Sequence, residues 1–165
     1  MPRRRVLALW GGLALILGAV NISVARKEWL RARGRPLLLE LAPRDPRSLM
    51  QGDYMTLDYA VERAVAAQDS GLAGVRSGTI VIRVDGRGVG TFVRLARPAE
   101  TLAPDERLLR FRQRQRRVRV GPDAFFFQEG QASRYVGARF ADLRVDDRGD
   151  VLLVGLRDEN ARPIP

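Results

Sequence analysis

Cysteine and histidine are both absent from this chain of 165 residues, and lysine occurs once, as Lys27. Without thiols or imidazoles there is no disulfide framework, no cysteine nucleophile, no zinc site of the usual Cys/His kind and no Ser-His-Asp triad. The other 28 of the 29 basic side chains are arginines. Arginine stays protonated under essentially all conditions and makes a poor general base. Chemistry here is left to carboxylates, hydroxyls, guanidinium groups and one lysine amine. The length suits one modest domain, and a hydrophobic share of 45% is ordinary for a globular chain. That share is unevenly spread.

Residues 6–25 contain no ionisable side chain and follow directly on Arg3, Arg4 and Arg5. As a helix the run would span about 30 Å, the thickness of a bilayer core. A transmembrane anchor is expected. A cleaved signal peptide is the alternative, because Ser23, Val24 and Ala25 put small residues where a signal peptidase reads. The run is, however, longer than the roughly 7–15 residues of a signal-peptide core. Five basic residues, Arg26, Lys27, Arg31, Arg33 and Arg35, follow it against Glu28 alone. A strict positive-inside count would place the rest of the chain in the cytoplasm, but a short N-terminus opening on three arginines reads as a signal anchor whose first flank stays inside. The expectation is an extracytoplasmic domain.

This placement of charge also accounts for the sequence pI near 11.4. Residues 36–165 keep 21 basic and 18 acidic side chains. Most of the positive excess therefore flanks the apolar run, where lipid headgroups and not nucleic acid are the expected contact.

Beyond a basic stem at residues 26–35, the pattern turns to short strands. Residues 36–42 are apolar with one acid, and residues 53–59 alternate as a half-buried strand does. Residues 79–85 and 89–96 flank Asp85-Gly86-Arg87-Gly88, a hairpin signal. Residues 107–120 form a second pair whose alternation breaks parity near Gln113 to Arg116, so a turn must fall there. Residues 140–146 and 150–157 make a third pair around Asp147-Arg148-Gly149. Alanine-rich residues 60–74 and residues 131–139 could each hold a short helix, and residues 159–165 are expected to be disordered or extended. The expected fold is mainly β: about eight strands with one or two short helices, in a small antiparallel barrel or sandwich spanning residues 36–158.

The run Gly52-Asp53-Tyr54-Met55-Thr56-Leu57-Asp58-Tyr59 is similar, position for position, to the signature of the GDYXXLXY domain family. The resemblance extends to the preceding LELAPRDPRSLMQ, to Phe126-Phe127-Gln128-Glu129-Gly130, to Tyr135 and to Leu143-Arg144-Val145. It departs from the family at Arg44, where valine is usual. The resemblance implies a bacterial, membrane-anchored protein encoded beside, or fused to, polytopic membrane proteins. The family supplies no catalytic residue to carry over, and no cofactor.

Candidate interaction or structural residues are therefore Gly52, Asp53, Tyr54, Leu57, Tyr59, Phe127, Gln128, Glu129 and Gly130. On the structural reading, Gly52 and Asp53 fix a turn, and Leu57 and Tyr59 pack. On the functional reading, Asp53 and Glu129 converge at one end of the barrel and bind a partner. In Phe125-Phe126-Phe127 at least one ring must face away from its neighbours if the segment is a strand, and an exposed ring would be a contact. Arg110, Arg112, Arg117 and Arg119 should share one face of their hairpin, which is either merely solvated or meets anionic lipid. An envelope hydrolase is the alternative of another class, since Ser48 to Asp53 looks like the entry to a signal-peptidase-like barrel. A Ser-Lys dyad fails, because Lys27 precedes the barrel.

Overall fold

The computed structural model describes residues 2–42, 50–51, 54–68, 75–115 and 117–165. Helix α1 (Pro2–Arg33) comes first. It includes a span, Leu7–Arg33, that is long and apolar enough to cross a membrane and has none of its apolar window buried. The helix runs eight residues beyond the apolar stretch, so most of the expected basic stem is helical. Its sequence, RKEWLRAR, consists almost wholly of good helix formers. Gly34 stops it, donating its N–H to the Leu30 carbonyl at 2.8 Å. A Cβ at Gly34 would collide with that carbonyl and lie 2.9 Å from Arg144 Cβ, so the chain can turn this tightly against the domain only as glycine. Leu30 is buried at the junction.

Ten strands follow among the described residues: β1 (Arg35–Glu40), β2 (Met50–Gln51), β3 (Tyr54–Thr56), β4 (Ser77–Val84), β5 (Gly90–Leu95), β6 (Glu106–Arg114), β7 (Arg117–Arg119), β8 (Ala124–Phe126), β9 (Phe140–Val145) and β10 (Val151–Arg157). Two short helices, α2 (Ala60–Ala66) and α3 (Ala132–Tyr135), accompany them among the described residues. The strands form three antiparallel sheets ordered β1-β9-β10, β2-β3-β8 and β5-β4-β6-β7. Single bridges stitch them together: Leu38 to Val89, and Leu41 to Tyr59. The Arg110 N–H adds a link to the Gly149 carbonyl at 2.9 Å. The result is a half-barrel around one core. Leu37 and Leu39, Ile80 and Ile82, Leu109 and Phe111, and Ala141, Leu143 and Val145 enter that core at every second position, as a pleated strand requires.

All three expected hairpins form. The β6–β7 turn falls between Arg114 and Arg117, and the register Arg112 to Arg119 and Gln113 to Val118 restores the parity that the sequence breaks. The tail, expected to be disordered or extended, is not disordered. Asp158 Oδ1 accepts the N–H groups of Asn160 and Arg162, the Arg157 guanidinium bonds the Ala161 carbonyl, and Ile164 donates to Leu156, so the tail folds back on β10. Asp85 and Asp146 make the same two bonds in their turns, each with glycine at the positive φ, whereas the Asp158 turn puts Ala161 at φ 60. One turn chemistry serves three hairpins.

Candidate functional site: the signature strand and its surroundings

Within the signature, Gly52 and Asp53 lie outside the described residues, as does Ser48, so the expected meeting of Asp53 with Glu129 lies outside them too. The remainder alternates strictly. Met55, Leu57 and Tyr59 are buried, while Tyr54, Thr56 and Asp58 are half-buried. Strand β3 itself is short, pairing Tyr54 with Phe126 and Met55 with Phe125. Tyr59 continues the line through its bridge to Leu41.

Tyr59 is 1% exposed, and its hydroxyl donates to the Pro122 carbonyl at 3.0 Å. Gly121 lies over the ring so closely that a Cβ there would sit 3.0 Å from the hydroxyl oxygen. Burial first, and then the neighbouring Glu62 carboxylate, raises the Tyr59 pKa well above the ordinary phenol value. The ring is a neutral, hydrogen-bonded core group. Its position explains why a tyrosine, and not a phenylalanine, ends the signature: the Pro122 carbonyl would otherwise lose this partner.

Asp58, on the other face, begins a cluster that the sequence reading did not single out. Arg119 Nη1 bonds Asp58 Oδ1 at 2.8 Å and Glu62 Oε2 at 3.3 Å, and Arg119 Nε lies 3.4 Å from Asp123 Oδ1. Glu62 Oε1 accepts the Val120 N–H at 3.0 Å. Burial raises the Glu62 pKa, against the opposing pull of that N–H and of Arg119. Both Glu62 oxygens are engaged, so the carboxylate ties α2 to the end of β7 and is not poised for proton transfer. Beside this clasp is an open groove of about 210 Å³, lined by Asp58, Glu62, Arg63, Arg117 and Arg119. The only sequence signal for the clasp was Asp58 and Glu62, one helical turn apart. Their arginine is 57 residues further on and could not be matched to them by spacing.

The arginine hairpin divides accordingly. Arg119 is enclosed by acids, and Arg110 pairs with Asp150 at 3.1 Å. Asp105 and Glu106, just before this hairpin, pair with Arg83 and Arg94 and not with its arginines. Arg94 and the Ala103 N–H lower the Glu106 pKa to about 2. Among the described residues no group of three Asp or Glu side chains is placed to hold a metal ion.

The phenylalanine triplet splits by strand alternation. Phe125 and Phe127 pack against the core and each meets Tyr135, with ring centroids 5.1 and 5.2 Å apart. Phe126 points the other way, is 74% exposed, and has the Tyr54 ring beside it at 5.7 Å. Gln128, Glu129 and Gly130 are exposed in the following turn, where Gly130 takes φ 80 and the Gln131 side chain donates to Gln128. The structure thus brings Tyr54 together with Phe126, while Phe127 lies on the packed side.

No curated protein and no solved structure is significantly similar to the chain. A family model described as GDYXXLXY protein matches residues 16–156, from within α1 to the end of β10. With the signature at β3 and a match over most of its length, the chain belongs to the GDYXXLXY family.

Proposed function

We propose that this protein is a single-span subunit of a bacterial inner membrane whose β domain stands on the extracytoplasmic side and serves as an accessory or assembly factor for a polytopic membrane protein. The observation that carries the reading is the exposed Phe126 ring beside Tyr54, on the face of the signature strand opposite the core. A ring that could be buried at little cost and is instead held open is an anchor for a partner. An apolar helix whose membrane-length window is wholly unburied supports the same reading, since such a surface is stable only in lipid or against another helix. The clustered carboxylates of Asp58, Glu62 and Glu106 are engaged in structural pairs, which favours contact over hydrolysis.

Affinity purification of the tagged full-length protein from native membranes in mild detergent tests this. A stoichiometric polytopic protein retained by the wild type and lost from Phe126→Ser is the expected result. A wild-type protein that comes out alone would overturn the accessory role. Alkaline phosphatase fused after Pro165 should be active, and an inactive fusion beside an active cytoplasmic reporter would reverse the orientation.

A further inference from the structure

Where α1 gives way to β1, a second cavity of about 120 Å³ has Arg35 and Arg107 in its wall. Arg35 opens β1, one residue after the glycine that ends the helix, and stands opposite Val145. Arg107, near the start of β6, reaches across to the Pro36 carbonyl at 2.9 Å. Both guanidinium groups line this cavity, and burial, and then Arg35, lowers the Arg107 pKa. No ion pair among the described residues includes Arg107.

Glu106, Asp146 and Asp147 line the same cavity, but each is engaged elsewhere or open to water. Glu106 is held by Arg94 at 2.6 Å and by Arg83 at 3.8 Å. Asp146 Oδ1 accepts two backbone N–H groups of its own turn. Asp147 reaches Arg35 at 3.4 Å, but its side chain is 86% exposed, and such a pair is screened by water and salt. The Arg35 side chain is 62% exposed and Arg107 is half-buried; two like charges on one cavity wall repel, and an anion between them would turn that repulsion into attraction on both sides. Room for about four waters is room for one phosphoryl group. Leu102, Leu108 and Val145 give the same cavity an apolar wall.

Position narrows the choice of anion. Trp29 is exposed near the end of α1, where an aromatic marks the membrane interface. Arg33 is only about 6 Å further along the helix axis. We propose that Arg35 and Arg107 together bind the phosphate of an anionic membrane phospholipid, whose glycerol portion lies against the apolar wall. The proposal rests on the membrane-anchor part of the reading above and is independent of any protein partner.

The test uses full-length protein in mild detergent, titrated separately with phosphatidylglycerol, phosphatidylcholine and inorganic phosphate, with bound molecules counted by native mass spectrometry. Phosphatidylglycerol should bind at least tenfold more tightly than phosphatidylcholine, and Arg107→Gln and Arg35→Gln should each remove most of that preference. Arg107→Lys should keep the larger part of it. Inorganic phosphate binding as tightly as the lipid, with the same sensitivity to both variants, would uphold the phosphate site and assign it to a soluble anion. A folded Arg107→Gln protein that binds phosphatidylglycerol as the wild type does would overturn the site, and Arg35→Gln carries the test if Arg107→Gln does not fold. Alkaline carbonate extraction of membranes reports on the anchor separately. A protein released by carbonate refutes the anchor whatever the phosphate titration gives.

Discussion

The two tyrosines of the signature, five residues apart in one extended segment, have opposite surroundings. Tyr59 is sealed under Gly121 with its hydroxyl on the Pro122 carbonyl, and the Arg119 clasp closes over its neighbours Asp58 and Glu62. Tyr54 is half open and shares its face with an exposed phenylalanine. A motif recognised as one string therefore has two kinds of surroundings. Met55, Leu57 and Tyr59 are core residues, and Tyr54 stands on the other face beside an exposed ring.

The largest break in this comparison should come from Tyr59→Ala. Removing a fully buried ring leaves a cavity and an unpaired carbonyl, and should cost about 3–5 kcal/mol in urea melts of the full-length protein. A loss below about 1 kcal/mol would mean that the second half of the signature is not structural. Arg119→Leu should come next, at about 2–3 kcal/mol, because it leaves Glu62 charged and poorly solvated against α2.

Two glutamates sharpen the comparison through pH, with opposite signs. The Glu62 pKa is raised above its ordinary 4.5, so its contribution to stability is full below that value and is lost as pH rises through the raised one. The Glu106 pKa is lowered to about 2, so its contribution is full above 4.5 and is lost as pH falls towards 2. Between pH 7 and pH 3, the stability of wild type relative to Glu62→Gln should therefore rise, while that of wild type relative to Glu106→Gln should fall. Parallel trends in the two series would contradict the assignment of Glu62 to a desolvated clasp and Glu106 to an ion pair. The smallest effect on stability should be that of Phe126→Ser, within about 0.5 kcal/mol, because the ring is already exposed.

Much of the half-barrel was legible because strand alternation and Asp-Gly turns are local signals. The β4–β5 and β9–β10 hairpins needed only Asp85 with Gly88, and Asp146 with Gly149. The tail hairpin was missed for the complementary reason: the Asp158 turn uses the same carboxylate, but Ala161 stands in for the expected glycine and Pro163 and Pro165 read as extended chain. The helical stem was missed because charge drew attention to lipid contact, although Arg, Lys, Glu, Leu and Ala continue a helix readily. At the site, burial of Leu57 and Tyr59 followed from alternation, and so did the need for one outward ring in Phe125-Phe126-Phe127. Which ring it is depended on the pairing of Phe126 with Tyr54, a register set 72 residues away in sequence. The Arg119 clasp and the Arg35–Arg107 pair are likewise products of long-range register.

The most direct test of the central claim, that the outer face of the signature strand meets a membrane partner, is site-specific photocrosslinking from position 126 in intact cells, with position 92, the core-packed Phe92 of β5, as the control. The account predicts one abundant adduct with a polytopic membrane protein from position 126 and none from position 92. A probe at position 126 that yields no protein adduct, in cells where the full-length protein is inserted and folded, would contradict it.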